Sequence, residues 1–256
     1  MSARPTDGRV AIVAARLLLL AAVLLAWEVL PRAGIIDSEL LPPCSDVAAT
    51  LAGLLARPAF LIDLGTTALE IVAAFAIAVP FGALLGFALA ESPYWAKVFD
   101  PLLFFVFSIP KSIFLPMFIL TLGIGFWQKV GFGCFSTTLL VLLSTQAAVR
   151  SVRPEHLLVA RSYGATARQI IARVYLPSML PILLEALRLS LIFTITAVVL
   201  AEMYASSTGI GHEIESWGEN FMMRQLLGGV VLLSLTAITV NESIRWFERR
   251  CGAWRT

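Results

Sequence analysis

The chain has 256 residues, of which 59% are hydrophobic and 14% charged, with a mean hydropathy of +0.86 and a formal net charge of +2. Soluble domains carry about a quarter charged residues, so this composition excludes an ordinary water-soluble fold and indicates an integral membrane protein. The basic residues cluster at the ends of apolar stretches and form no groove, so nucleic acid is not an expected partner.

Crossing a hydrocarbon core about 30 Å thick takes roughly 20 apolar residues in a helix. Stretches of that kind lie at residues 10–30, 66–90, 101–122, 130–149, 178–203 and 225–244. They predict an all-α, polytopic protein of six spans, a single transmembrane domain with both termini on one side. Arg4, Arg9 and Arg16 ahead of the first apolar run have the look of a signal peptide. The run leads into Trp27-Glu-Val-Leu-Pro31 without a small-residue cleavage site, so the first span is expected to be retained, with Arg16 snorkelling.

After the first span, Leu41-Pro-Pro-Cys-Ser-Asp46 and the apolar period of residues 47–55 predict an amphipathic helix capped by Ser45. Gly82 and Gly86 in the second span permit close helix packing, within the chain or between two copies. The third span contains Pro101, Pro110 and Pro116, with Lys111 directly after Pro110. Irregular backbone at membrane depth is tolerated where it lines protein or water, which makes Lys111 a cavity candidate, partnered by water or by one of Glu70, Glu185 and Glu202.

Residues 150–177, between the fourth and fifth spans, form the only long basic amphipathic segment of the chain. Pro154 suits the first turn of a helix, Gly164 the left-handed residue that ends one, and Thr166 with Gln169 a capping box that starts another. Helix, glycine corner and helix are therefore expected. Ile170, Ile171, Val174 and Tyr175 make an apolar stripe that leaves Arg168 and Arg173 pointing elsewhere, and Leu176-Pro177 is expected to end it. After the fifth span, Gly209-Ile-Gly211 precedes a segment carrying Glu213, Glu215 and Glu219.

With the N-terminus inside, thirteen lysines and arginines fall on the cytoplasmic side, including Arg150, Arg153, Arg161, Arg168 and Arg173. Four fall outside (Arg32, Arg57, Lys129 and Arg224), and Lys111 and Arg188 lie within spans. Positive charge favours the cytoplasmic side, so this orientation is the expected one. Trp27, Trp127 and Trp217 at outer ends and Trp95, Trp246 and Trp254 at inner ends suit the headgroup preference of indole rings.

A charge at mid-span costs about 2.5–3.5 kcal/mol on the insertion scale. Glu70, Lys111, Glu185, Arg188 and Glu202 therefore need partners or a wet cavity, and Glu185 with Arg188, three residues apart, can pair on one helix. Lys111, Glu185, Arg188 and Glu70 are candidates for the cavity. Glu202, Gly209, Gly211, Glu213, Glu215 and Glu219 are candidates for an outer gate and a docking rim.

No catalytic or metal constellation is expected. The two histidines, His156 and His212, fall on opposite sides, and Cys44, Cys134 and Cys251 are scattered. There is no Gly-Lys pair and hence no phosphate-binding Gly-x-x-x-x-Gly-Lys loop. A secondary transporter would show a duplicated half or coupling-ion carboxylates at mid-span, and no such repeat is evident. A non-transporting scaffold or membrane enzyme is the other competing class.

Ala160, Gly164, Leu176 and Pro177 resemble the cytoplasmic coupling loop of ABC-importer permeases, which reads Glu-Ala-Ala, three residues, Gly, nine residues, Ile-x-Leu-Pro. Leu158 and Val159 stand in the places of the glutamate and first alanine, and Val174 in that of the isoleucine, so no contact of that glutamate carries over. Asp100-Pro-Leu-Leu, the run from Ser108-Ile-Pro-Lys to Leu120, Gly123-Ile-Gly125, Ala201-Glu202 and Gly209-Ile-Gly211 resemble the nitrate/sulfonate/taurine-type branch of these permeases.

The resemblance implies a type I importer permease working by alternating access in the bacterial inner membrane, multi-pass, with both termini cytoplasmic. It implies pairing with a second permease subunit, identical or a sister chain, and with two cytoplasmic ATPase subunits. These would carry the ATP and Mg while this chain carries no cofactor and is no enzyme. A periplasmic or lipid-anchored solute-binding protein would deliver the solute, and membrane lipid would surround the spans. ATPase coupling would fall to Ala160, Arg161, Tyr163, Gly164, Leu176 and Pro177. Glu70 stands where relatives often carry arginine, and Ala74 and Ala186 replace common glycines, which leans the expected cavity toward a neutral or cationic solute.

Overall fold

The computed structural model describes the backbone of residues 5–251 and the side chains of residues 11–246. Arg4, Trp254 and Arg255 of the topology count, together with the side chains of Arg9, Arg249, Arg250 and Cys251, lie outside what is described. The helices in chain order are α1 (Pro5–Arg32), α2 (Cys44–Leu55), α3 (Pro58–Glu91), α4 (Pro93–Ser108), α5 (Leu115–Leu122), α6 (Phe126–Arg150), α7 (Pro154–Ser162), α8 (Ala167–Ile170), α9 (Leu176–Tyr204), α10 (Ile210–Glu219) and α11 (Met223–Cys251). Among the described residues, five continuous helical stretches are long and apolar enough to cross a membrane, and α4 with α5 makes a sixth that is broken and bent by 90°.

The break lies where the sequence placed irregular backbone, and Pro110 causes it. The residue before a proline is driven out of the helical region, and Ile109 is extended at φ −75°, ψ 131°. A single 3₁₀ turn, Lys111–Phe114, follows before α5 begins. Pro101 stays inside α4, and Pro116 occupies the first turn of α5, where a missing N–H costs nothing. The third span therefore reaches back to Pro93 and is two helices, not one kinked helix.

The chain divides into two compact units, Met1–Leu61 with Glu213–Leu233 and Ile62–His212 with Ser234–Thr256. In the first unit, α2 leans on the end of α1. Trp27 Nε1 donates to the Pro42 carbonyl at 3.0 Å, and the Glu28 carboxylate accepts from Ser45 N at 3.0 Å and from Ser45 Oγ at 2.8 Å. Arg32 completes the cluster through Glu28 at 2.7 Å and Ser45 Oγ at 3.0 Å. This corrects the expectation that Ser45 caps α2. The N-cap is Pro43, with no side-chain cap, and Glu28 from another helix accepts the early N–H that a capping side chain would otherwise take. Phe60 stacks on Trp217 at 6.0 Å, and Gly229 lets Ile214 and Trp217 lie against α11.

In the second unit, α6 is the buried centre and packs along α9. Small residues set the spacing, as they do where membrane helices approach closely. A Cβ on Gly82 or Gly86 would lie 2.8 Å from the Thr138 carbonyl oxygen or 2.5 Å from that of Leu142, so α3 uses this glycine pair against α6 of its own chain. Gly133 of α6 likewise backs onto Val198 and Ala74, and Thr137 and Thr194 share a buried hydroxyl bond at 2.7 Å. Phe118 stacks edge-on to Phe132, and Phe114 to Phe135, bracing the broken span against α6.

Candidate functional site

Residues 150–177 fold as helix, corner and helix. Pro154 starts α7, and Gly164 turns left-handed at φ +72°, a conformation that only glycine adopts cheaply. Its amide bonds to the Arg161 carbonyl at 2.9 Å, and the Ala165 amide to Ala160 at 3.0 Å, closing the end of α7. Thr166 and Gln169 make the reciprocal capping box. Ile170 and Tyr175 are buried, with Val174 packed against the same core of Ala148, Val149, Val152 and Met179. Ile171 falls off the stripe and is exposed, as are Arg168 and Arg173.

The expected stop at Leu176-Pro177 is not a stop. Helix continues from Ala167 to Tyr204, because a π turn over Ile171–Tyr175 precedes the proline. A proline inside a helix leaves a carbonyl one turn back without its N–H, and the widened turn absorbs that mismatch.

On the outward side of this segment, Leu158, Val159 and Tyr163 are exposed, with Tyr163 at 87%. Pro154, Glu155, Leu157, Leu158 and Arg161 line an open hollow of about 460 Å³. Ala160 is half-buried against the core of Ala148 and Val152, Leu176 exposed and Pro177 half-buried. Large apolar side chains thus stand exposed in a segment rich in arginine.

A second constellation forms around the far end of α9. Glu202 is fully buried, its Oε1 accepting from Thr67 Oγ1 at 2.7 Å and its Oε2 from Gly211 N at 2.8 Å. Thr67 Oγ1 also accepts from Ile210 N at 2.9 Å, and Asp63 Oδ1 accepts from Gly209 N at 2.8 Å. Glu70, equally buried, is ion-paired with Lys129, whose Nζ also donates to Ser206 Oγ at 3.1 Å. Ser206 Oγ in turn donates to the Thr208 carbonyl at 2.7 Å.

The turn from Ser206 to Gly211 is therefore held by side chains of α3, α6 and α9. Gly209 has φ +102°, and a Cβ there would run into the Glu202 carboxylate; one on Gly211 would sit 2.5 Å from the Val199 carbonyl oxygen. Gly209 is required by the carboxylate that fills its place, and Gly211 by the α9 backbone and the Glu202 side chain packed against it.

The remaining sequence candidates are dispersed. Lys111 Nζ donates to the Phe107 carbonyl and lies 4.0 Å from the centre of the Phe107 ring. That carbonyl is in the last turn of α4, so the lysine satisfies an acceptor orphaned by the Pro110 break. Glu185 is exposed and reaches Arg188 at 4.0 Å. Glu213 and Glu215 are half-buried on α10, and Glu219 is exposed at its end.

Sequence reasoning missed Lys129, Thr67 and Asp63. Lys129 sits at the start of a span beside Trp127, where a basic residue looks like an interface anchor, yet its side chain is 2% exposed. The available signal was the pairing demand of Glu70, one unit of charge seeking its opposite. Among the described residues, no group of His, Cys, Asp and Glu side chains is arranged to hold a metal.

Residues 78–252 match the model of a family described as "binding-protein-dependent transport system inner membrane component". The chain is 29% identical over 241 residues to the taurine transport system permease protein TauC of Escherichia coli (strain K12), covering 92% of this chain and 87% of that one. It is 26% identical over 239 residues to the putative aliphatic sulfonates transport permease protein SsuC of Bacillus subtilis (strain 168), covering 93% and 87%.

Among solved structures, an amino acid ABC transporter with histidines aligns with a TM-score of 0.62 at 19% identity, covering 78% of this chain and 97% of that one. An inward-facing MetNI methionine ABC transporter aligns at 0.53 and 21%, covering 75% and 96%. At those identities the structural likeness establishes the fold, that of ABC importer permeases. The family match spans well over half of the sequence, and this chain belongs to the binding-protein-dependent transport system inner membrane components, the membrane-spanning permeases of ABC importers.

Proposed function

We propose that this permease works in an inner-membrane complex with two ATPase subunits, which bind and hydrolyse ATP, and with a second permease subunit. The observation that carries the reading is the face of α7 beside the Gly164 corner, where Leu158, Val159 and Tyr163 stand exposed among arginines. An aqueous loop gains nothing from exposing such residues, whereas a docking surface does, apolar anchors rimmed by charge being the usual anatomy of an interface. The ATPases dock there, on the cytoplasmic side, with Arg161 and the Ala160–Gly164 corner at the contact and Leu176-Pro177 leading into the fifth span. Both termini then lie in the cytoplasm.

The Ser206–Gly211 turn, clasped by Glu202, Thr67 and Asp63, serves as the outer gate. The rim carrying Glu213, Glu215 and Glu219 receives the solute-binding protein. Glu70 is neutralised by Lys129 inside the fold, so it presents no free negative charge to a solute and gives no reason to prefer a cationic one. A small organosulfonate is the first candidate, since relatives are named for taurine and aliphatic sulfonates.

Purification of the tagged, intact complex tests the reading. The wild-type permease is expected to retain an ATPase through detergent extraction, while Arg161→Glu reaches the membrane in normal amount and loses at least about tenfold of the co-purifying ATPase, the consequence of placing a like charge or an unpaired one at the contact. Equal ATPase recovery with both proteins would overturn the docking assignment.

A further inference from the structure

Tyr175 has no place in the roles above, and its surroundings give it one. It closes the π turn Ile171–Tyr175, but its side chain points inward, 6% exposed, with the ring edge-on to Phe87 of α3 at 5.3 Å and 81°. Its hydroxyl donates to Glu91 Oε1. Glu91 is the last residue of α3; Ser92 is extended at φ −111°, ψ 102°, and Pro93 opens α4. The docking segment is thereby pinned to the corner between the second span and the broken third one.

A second tie lies at the other end of the segment. Arg150, the last residue of α6, donates from Nη2 to Asp100 Oδ2 of α4 at 2.6 Å. Both ends of residues 150–177 are thus fastened near α4, and α4 runs directly to the 90° break at Pro110. The ring of Tyr175 would pack as well without its hydroxyl. The hydroxyl adds a bond to a carboxylate, among the stronger hydrogen bonds in proteins, and it sits on a π turn, a feature that gathers at functional positions.

We propose that Tyr175 and Glu91 are a positioning pair that carries displacement of the docked segment to the broken third span, with Arg150–Asp100 as a second strut. The proposal rests on the ATPase-docking reading. When the ATPases close, the segment moves as a piece, and the Tyr175–Glu91 bond obliges the α3–α4 corner to follow.

The test uses the full complex of permease, ATPases and binding protein in lipid vesicles, with taurine as the probe solute and ATP hydrolysis measured with and without loaded binding protein. Tyr175→Phe keeps the ring and removes the hydroxyl; Glu91→Gln keeps the shape and removes the charge. Tyr175→Phe is expected to leave basal hydrolysis and the melting midpoint in place while stimulation by the binding protein falls about fivefold or more, the lower end of ordinary coupling between distant sites. Glu91→Gln is expected to fall between wild type and Tyr175→Phe, and the double variant to be no worse than Tyr175→Phe, because both remove one bond.

Unchanged stimulation in Tyr175→Phe would overturn the proposal. So would losses that multiply in the double variant, or basal and stimulated rates falling together with the melting midpoint, the mark of a merely structural tyrosine. Absence of any stimulation in the wild-type complex would instead count against the proposed function, taurine as its solute included, and against the relay that rests on it.

Discussion

Gly164 and Gly209, two of the four glycines with positive φ among the described residues, each turn a corner, and the two corners are built in opposite ways. Around Gly209 the space beside the backbone is taken by the Glu202 carboxylate, and every nearby amide from Gly209 to Gly211 has a side-chain acceptor on α3 or α9. Around Gly164 nothing lies within 4 Å of where a Cβ would stand, and the neighbouring Tyr163 is almost fully exposed. The first corner is complete within the chain. The second has its backbone closed and its side chains unspent, as the docking proposed for it requires.

The closed corner depends most on Lys129. Replacing one member of a buried ion pair strands the other and costs about 3–5 kcal/mol, so Lys129→Met is expected to show the largest loss of stability, read as a fall in the melting midpoint of the detergent-solubilised protein. Glu70→Gln added to Lys129→Met should recover much of that loss by removing the stranded charge. No recovery would mean that the lysine acts through Ser206 and not through Glu70.

Alanine at the two glycines should separate the filled corner from the open one. Gly209→Ala meets both a strained backbone and an occupied space, costing roughly 2–5 kcal/mol when the strain and overpacking are combined. Gly164→Ala meets the backbone penalty alone, about 1–2 kcal/mol. The order of their melting midpoints is the observation to make, and equal losses would refute the contrast between a filled corner and an open one.

The smallest effect on stability is expected at Leu158. Its side chain is exposed, so Leu158→Ser should stay within about 0.5 kcal/mol of wild type in the isolated permease. The same change is expected to weaken ATPase retention in the complex several-fold. A variant that destabilised the isolated chain while leaving ATPase retention intact would place Leu158 in the fold and not in the contact.

What the sequence made legible was local. Gly164, Thr166 and Gln169 state their corner within a few residues, and Pro110 announces the break in the third span because its effect on Ile109 is steric and immediate. The spans were legible because about 20 apolar residues have few other uses. The partnerships were not. Lys129 meets Glu70 across two helices, Glu28 serves the start of α2 from α1, and Lys111 bonds the Phe107 carbonyl instead of a carboxylate. Each is a choice among several chemically adequate partners, and only packing decides among them. The π turn escaped for a related reason: Leu176-Pro177 reads as a terminator wherever the chain cannot widen, and here it widens.

That widened turn has a bearing on how this chain compares with others of its kind. In an α-helix, adding or removing one residue rotates everything beyond it by about 100° and presents a different face to the neighbours. A π turn holds one surplus residue without that rotation, so residues 171–175 are the one described stretch between Ala167 and Tyr204 where chain length can change by one and the faces of α9, including Ser190, Thr194 and Glu202, keep their bearings. The fixed spacing from the Gly164 corner to Leu176-Pro177 runs through this turn, so the count between them already includes the surplus residue.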